Sequence, residues 1–237
     1  MLKFNTHAHS VGRSGCGKVE AARVAEIYRE AGYDGLVLTN HYMKWVLENY
    51  YPPMSVAERV EFFLDAYRQA KARGEEIGLS VFLGMELNLE RYNVLTDVIY
   101  PVYEFLVFGL TEDFLRAHPF LYELSQREAY ELFDQNGMLM VQTHPFRERT
   151  RLADVGYLHG IEVYNGHPGH ESHNEFAREV AENHPQLIRT AGDDYHELGR
   201  HGYAGMYFPD DTRSMDAMVR HLKAGEYEIF VTDKKRV

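Results

Sequence analysis

Short apolar runs alternate with stretches of helical periodicity along most of the chain. Eight of the runs have the length of buried β-strands and are bounded by turn residues or by helical segments. They lie at 2–6, 35–39, 79–86, 103–110, 138–143, 160–164, 187–191 and 228–231.

Five segments between these runs have the marks of helices. The stretch 19–31 places apolar residues at helical spacing and stops at Gly32. Ser55-Val-Ala-Glu58 and Ser125-Gln-Arg-Glu128 are capping boxes, which predict helices reaching to about 74 and to about 136. The stretches 171–184 and 214–224 complete the set.

Strand and helix alternation of this kind predicts an α/β fold with a mostly parallel sheet covered by helices. A closed barrel and an open doubly wound sheet both fit the pattern. The first strand is not followed by Gly-x-Gly-x-x-Gly or by a Walker-type loop, so a nucleotide-binding fold has no support. No linker or repeat interrupts the pattern, and a single domain over 1–237 is expected.

The chain is acidic, with 36 Asp and Glu against 25 Lys and Arg and a formal charge of −11. This balance argues against a nucleic-acid partner and leaves room for a metal site. The one cysteine, Cys16, excludes a disulfide within the chain. No basic N-terminal segment precedes an apolar stretch and no apolar run approaches membrane-spanning length, so we expect a cytoplasmic protein without a membrane partner.

Histidine and carboxylate side chains fall where the predicted strands end. Residues i and i+2 of a strand face the same side, so His7 and His9 can chelate one ion. A single histidine at a strand end is more often solvated or hydrogen-bonded than a ligand. In parallel α/β folds, however, the carboxyl ends of the strands meet at one edge, and six or more candidates there favour a metal site. The further candidates are His41, Glu86, His144, Asp194 and His196.

The motifs NTHAHS, LTNHY, GMEL, THPF and GDDYH, taken in order, resemble those of the PHP (polymerase and histidinol phosphatase) family. They run from residue 4 to about residue 196. The resemblance implies a distorted (β/α)7 TIM-like barrel, with metal ions at the C-terminal end of its strands and phosphoesterase activity.

The resemblance also implies a ligand set of two, and in some members three, divalent ions such as Zn²⁺, Mn²⁺ or Fe²⁺. His7, His9, Glu86 and Asp194 would hold the first ion. Glu86 would bridge to the second ion, which His144 also binds. His41 and His196 would bind a third or peripheral ion.

Three positions depart from the family pattern. Asn40 stands where the family usually has Asp, and an amide is not an anionic ligand. Leu110 and Thr111 occupy the region where trinuclear members carry a further histidine, which would leave the second ion short of a ligand. In the loop 11–18, Cys16 is either a thiolate ligand or a small, partly buried residue.

The function implied is hydrolysis of a small phosphomonoester by attack of a metal-bound hydroxide. Asp194 and His196 are the candidates for moving protons. Arg147 would grip the substrate phosphate, unless it merely pairs with a nearby acid. Asn165 and His167, in the loop after the strand at 160–164, are the further candidates for substrate contact.

Two alternatives stay open at this point. Metal-dependent amidohydrolase barrels use similar ligands, so the bond hydrolysed need not be a phosphate ester. The chain could also be a degenerate metal-binding domain with a regulatory role, which the departures at Asn40 and Thr111 favour.

Overall fold

The computed structural model describes residues 1–89 and 103–232, which fold into a mixed α/β structure with two sheets. The strands are β1 (Leu2–Asn5), β2 (Gly35–Leu38), β3 (His41–Tyr42), β4 (Ser80–Leu83), β5 (Met85–Asn88), β6 (Glu104–Phe108), β7 (Leu139–Gln142), β8 (Gly160–Asn165), β9 (Ile188–Gly192), β10 (Ala204–Phe208) and β11 (Glu228–Val231). The helices are α1 (Ala21–Glu30), α2 (Val56–Ile77), α3 (Glu112–Ala117), α4 (Gln126–Gln135), α5 (Asn174–Asn183) and α6 (Met215–Ala224).

The first sheet has the order β11-β10-β1-β2-β4 and the second the order β3-β5-β6-β7-β8-β9. Among the described strands, β1-β2-β4, β3-β5 and β7-β8-β9 pair in parallel. The pairs β1-β10, β10-β11, β5-β6 and β6-β7 are antiparallel. The sheets are therefore more mixed than the sequence pattern predicts, and the strands seen here do not close into one barrel.

The two sheets are linked where their parallel strands end. After β1, Ala8 forms a parallel bridge with Tyr195, which follows β9. On the other side, the Gly84 nitrogen donates to the Leu38 carbonyl oxygen at 3.0 Å, next to the end of β2. These links bring the carboxyl ends of both sheets to one region of the molecule.

The predicted strand at 79–86 is in fact two strands, β4 and β5, which belong to different sheets. Gly84 separates them, and a Cβ there would lie only 2.8 Å from Cγ1 of Val37. A glycine is therefore required where the chain passes from one sheet to the other. The composition of the run did not reveal this break, since it is apolar throughout.

The capping boxes predicted from sequence are confirmed. The Ser55 side chain accepts from the Glu58 nitrogen at the start of α2, and Ser125 accepts from the nitrogen of Glu128 at the start of α4. Helix α2 extends a turn beyond its predicted end and stops at Gly78, which has a left-handed φ of 73°. In the part of the chain described here, no helix is both long enough and apolar enough to cross a membrane.

Candidate metal centre

Four side chains from three separate segments meet at the linked end of the sheets: His7 and His9 follow β1, Glu86 lies in β5, and Asp194 follows β9. Nε2 of His7 and Nε2 of His9 are 3.2 Å apart. Each lies 3.3 Å from Oδ1 of Asp194. Oε2 of Glu86 is 3.5 Å from the first nitrogen and 3.2 Å from the second. All four side chains are buried.

These distances suit a shared divalent ion. A tetrahedral ion with ligand bonds of about 2.1 Å separates its ligand atoms by about 3.4 Å. Two imidazole nitrogens and two carboxylate oxygens are a donor set that Zn²⁺, Mn²⁺ and Fe²⁺ accept. The residues present therefore fit the ion that the motifs imply.

The electrostatics of this group also call for a cation. Burial disfavours the charged form of His7, yet the surrounding carboxylates, Asp194 foremost, raise its pKa well above the ordinary value. The pKa of His9 is raised too, because the adjacent carboxylates of Asp194 and Glu86 outweigh its burial. A proton thus compensates the carboxylates in the protein alone, and a divalent ion can do the same.

A second group of possible ligands lies around both oxygens of the Glu86 carboxylate. Its Oε1 lies 3.0 Å from Nε2 of His144, while its Oε2 lies 3.1 Å from Nδ1 of His41. Both Glu86 Oε2 and His41 Nδ1 are buried without a hydrogen-bond partner in the described parts of the chain. Buried polar atoms left in this way cost free energy unless a ligand satisfies them.

Glu104 belongs to this second group, although the sequence reasoning missed it. Its carboxylate oxygens lie 3.9 Å from Nδ1 of His41 and 3.9 Å from Nε2 of His144. The side chain is only 14% exposed. Glu104 is the first residue of β6. No motif includes it, because the ligands predicted from sequence lie where strands end.

The expectation that Thr111 stands near the second ion was wrong, and so was that for Leu110. Both residues follow β6, which is antiparallel to β5 and β7, so its far end points away from the centre. Thr111 instead caps α3, where its side chain accepts from the Phe114 nitrogen. Leu110 is buried in the apolar core.

The third group comprises His9, Cys16, His41 and His196, whose ligand atoms lie within 4.8 Å of one another. Burial lowers the pKa of His41 to about 4 and that of His196 to about 2, so both rings are neutral at physiological pH. Burial raises the pKa of the Cys16 thiol, which is therefore protonated in the metal-free protein. Cys16 thus lies among the histidines, and both readings of it from the sequence stay open.

Two further side chains orient the imidazoles of the first group, and neither was singled out from sequence. Glu162 Oε1 lies 2.9 Å from Nδ1 of His7 and accepts its hydrogen, which leaves Nε2 free for an ion. Ser14 Oγ lies 3.0 Å from Nδ1 of His9 and also donates to Oδ1 of Asn40. Asn40 is the residue of the second motif that departs from the family pattern. Its amide oxygen accepts from Ser14, which in turn contacts His9, so Asn40 supports His9 indirectly.

Asp194 uses its second oxygen to hold Arg147. Oδ2 accepts from a terminal nitrogen of Arg147 at 2.7 Å and from Nδ2 of Asn165 at 3.2 Å. The same guanidinium nitrogen donates to Oδ1 of Asn165 at 2.7 Å. Substrate contact by Arg147 and Asn165 stays a prediction, because the contacts seen here tie both to the protein.

His167 lies beside this group and contacts it through its backbone. Its backbone nitrogen donates to Oδ1 of Asn165, and its Nδ1 accepts from the Gly169 nitrogen. Its ring centroid is 5.1 Å from that of His196. Burial lowers the pKa of His167 to about 4, so the ring enters the site region as a neutral group.

The backbone is strained at two of the ligand positions. His144 has a φ of 25° and Asp194 a φ of 50°, in the region that glycine normally occupies. Gly192, just before Asp194, passes so close to His7 that a Cβ would lie 2.6 Å from the His7 Cβ. Such strain is typical of functional sites, where surrounding contacts hold the backbone in place.

No family model matches the sequence, and no curated protein matches it. Solved structures do share the fold. One is a two-domain protein from Bacteroides vulgatus containing a predicted PHP-like metal-dependent phosphoesterase, with a TM-score of 0.64 and 17% identity over 97% of this chain. The chain spans 64% of that protein's length.

Two other structures share the fold. A protein from Bifidobacterium adolescentis, assigned as a metal-dependent phosphoesterase, has a TM-score of 0.53 and 19% identity over 84% of this chain and 90% of its own. An amidohydrolase from Chromobacterium violaceum, solved with sulfate and no metal, has a TM-score of 0.56 and 14% identity over 97% of this chain and 98% of its own. At these identities the likeness establishes the fold, which is that of PHP-like proteins.

Proposed function

We propose that this protein is a PHP-type metal-dependent phosphoesterase that hydrolyses a small phosphomonoester. The observation that carries the proposal is the meeting of His7, His9, Glu86 and Asp194 at distances suited to one shared ion. The Bacteroides vulgatus structure contains a predicted PHP-like metal-dependent phosphoesterase and shares the fold of this chain, which supports the proposal. We further propose that the two sheets are halves of the distorted seven-stranded barrel that the motifs imply.

Divalent ions, when bound, would activate water and neutralise charge on the phosphate oxygens. His7, His9, Glu86 and Asp194 would hold the first ion, while Glu86 and His144 would hold the second. The Glu86 carboxylate is suited to bridging, because its two oxygens face different histidines. His196 would serve a third ion, for which His41 is the other candidate ligand where its Nδ1, which faces Glu86, does not bind the second ion.

Asp194 would act as a permanent anion rather than as a proton carrier. Burial favours its protonated form, but the charges of His7 and Arg147 hold its pKa well below the ordinary value. Asp194 would therefore fix the first ion on one side and Arg147 on the other. His196, whose Nδ1 lies 3.5 Å from the same carboxylate, is the remaining candidate for moving a proton, in a centre where it does not bind a third ion.

Arg147 would orient the substrate phosphate. Its guanidinium is fixed by Asp194 and Asn165, and its Nε is buried without a hydrogen-bond partner within residues 1–89 and 103–232. A donor that is positioned but unused is suited to a phosphate oxygen. His167 would border the leaving group, and Asn165 would act by holding Arg147 in place.

The test is hydrolysis of p-nitrophenyl phosphate by protein loaded with Mn²⁺, Zn²⁺ or Fe²⁺, followed by a screen of phosphorylated metabolites. We expect turnover that EDTA abolishes and added ion restores. Asp194→Asn should lose at least about a hundredfold in kcat, while Glu179→Gln, an exposed change on α5, should retain full activity. Lack of turnover by a metal-loaded, folded sample across all substrates would overturn the proposal and favour the regulatory alternative.

A second candidate is hydrolysis of a non-phosphate bond, which the amidohydrolase structure of the same fold supports. The two candidates separate on substrate. Turnover of amide or lactone substrates without turnover of any phosphate ester would favour the second. A cytoplasmic location and a small phosphorylated substrate as the sole partner stay predictions.

A further inference from the structure

We propose that Glu104 is a protein ligand of the second divalent ion, completing a site that the motifs alone leave short of a donor. The inference rests on the proposed function only in requiring a metal centre, since it concerns ion binding and not turnover. The carboxylate of Glu104 faces Nδ1 of His41 and Nε2 of His144, each at 3.9 Å.

The topology explains why an acidic residue at the start of a strand reaches the centre. Strand β6 is antiparallel to both of its neighbours, so its first residue lies level with their carboxyl ends. The Glu104 carbonyl oxygen accepts from the Thr143 nitrogen at 3.0 Å, directly before His144. On the other side Glu104 pairs in register with Asn88, two residues beyond Glu86. Its side chain therefore enters the space between Glu86 and His144.

The separations favour an ion between these groups rather than direct contact. A distance of 3.9 Å is too long for a hydrogen bond but is within the span of two ligands on one ion. His41, Glu86 and Glu104 offer one ligand atom each within 4.8 Å of one another. His144 adds a second imidazole from the opposite side, because its Nε2 faces both carboxylates.

The local charge points the same way. Glu86 is buried and Glu104 is only 14% exposed, so two carboxylates share one cluster, and the nearby Arg147 is already paired with Asp194. A divalent ion would allow both carboxylates to be ionised together.

This donor set has a chemical consequence for the second ion. Two carboxylates and two imidazoles form a harder site than the third group, which contains the Cys16 sulfur. We therefore expect the second site to accept Mn²⁺ or Fe²⁺ readily.

The test compares metal binding by Glu104→Gln with that by the wild type, using Mn²⁺ alone as the probe. Glutamine keeps the size of the side chain but is a much weaker ligand. Bound Mn²⁺ per chain is measured by elemental analysis after dialysis, and affinity by the EPR signal of free Mn²⁺ during titration. Glu123→Gln, an exposed change in the connection between β6 and β7, is the matched control.

We expect Glu104→Gln to bind one Mn²⁺ fewer per chain, or to bind its second Mn²⁺ at least about tenfold more weakly. The rise in Tm on adding Mn²⁺ should shrink accordingly. Without metal, the variant should melt at or above the wild-type temperature, since the amide relieves repulsion with Glu86. This last measurement separates a lost ligand from a lost fold.

Equal stoichiometry and affinity in wild type and Glu104→Gln would overturn the inference. So would loss of Mn²⁺ binding in Thr111→Ala to the extent seen in Glu104→Gln, because Thr111 would then be acting near the ion despite its place at α3. If the wild type binds two ions, Glu104→Gln loses the second, and no substrate is hydrolysed, the proposed function would be overturned. This inference would then stand.

Discussion

The hydroxyl of Ser14 lies 3.0 Å from Nδ1 of His9, and this contact sets the tautomer of the imidazole. Ser14 has one proton, which it donates to Oδ1 of Asn40, an atom that can only accept. The hydroxyl must therefore accept the hydrogen on His9 Nδ1. Nε2, which faces Glu86 and Asp194, is therefore the nitrogen whose lone pair an ion would take in place of a proton.

Removing this hydroxyl should weaken the first ion site without unfolding the protein. Ser14→Ala leaves His9 free to turn and to protonate on either nitrogen. We expect affinity for Zn²⁺ or Mn²⁺ to fall about 10–100-fold, as measured by competition with a chromophoric chelator. Ser80→Ala, distant from the centre at the start of β4, is the control and should keep its affinity. Unchanged affinity in Ser14→Ala would contradict the assigned tautomer.

Glu162 accepts the hydrogen on Nδ1 of His7, as Ser14 does for His9, but the accepting group of Glu162 is a charged carboxylate. Glu162→Gln keeps an oxygen that can accept from His7 Nδ1, so the ring orientation should survive, while the anion that strengthens the imidazole as a donor is lost. We expect ion affinity to fall about tenfold, together with some loss of Tm, because the new amide nitrogen would face the donors His144 N and Asn165 Nδ2. Isothermal titration of the metal-free protein measures it, with Glu179→Gln as control. An effect no larger than that of the control would count against the role of Glu162.

Gly192 should not tolerate a side chain. A Cβ at this position would lie 2.6 Å from the Cβ of His7 and 2.9 Å from its backbone nitrogen, and neither atom can move freely. We expect Gly192→Ala to cost about 1–3 kcal/mol of unfolding free energy and to displace His7. Gly15→Ala, whose Cβ would have only ordinary contacts with Trp45 and Tyr50, is the matched control. Urea denaturation compares the two, and equal stability would refute the steric argument.

His159 should make stability depend on pH without involving the metal centre. Its Nδ1 accepts from the Met140 nitrogen at 3.0 Å, which requires a neutral ring, and burial lowers its pKa from 6.5 despite the nearby Asp134. As the pH falls below about 6.5, the unfolded chain takes up the proton first, so the stabilisation is lost progressively. Above that pH it is fully present.

The measurement is Tm between about pH 8 and pH 5.5 for the wild type and for His159→Asn, which retains an acceptor but does not titrate. The wild type should lose more stability on acidification than the variant. Parallel curves would show that His159 does not contribute to the pH dependence.

The elements that the sequence predicted well are those with local signals. Ser55 and Ser125 mark their helices through hydrogen bonds to residues three positions away, so no distant contact is needed to find them. The ligand candidates His7, His9, Glu86, His144 and Asp194 were also found, because each sits in a motif next to an apolar run. The structure brings these side chains to one place.

Glu104 and Glu162 could not be found in the same way. The direction of β6 depends on how it pairs with β5 and β7, which are distant in sequence, and the family resemblance pointed to Thr111 at the other end of the strand instead. Glu162 lies inside β8, where an acidic residue between apolar ones usually faces solvent. The available signal was that Glu162 is an acidic residue in a strand whose other residues are almost all buried.

The left-handed backbone at His144 and Asp194 limits how far this protein can be stabilised by engineering. A screen that selects thermal tolerance alone would favour glycine or asparagine at both positions, since either residue relaxes the backbone. Each such gain would remove a nitrogen or a carboxylate that the centre uses. Libraries designed to stabilise the protein should therefore keep both codons fixed and vary other positions.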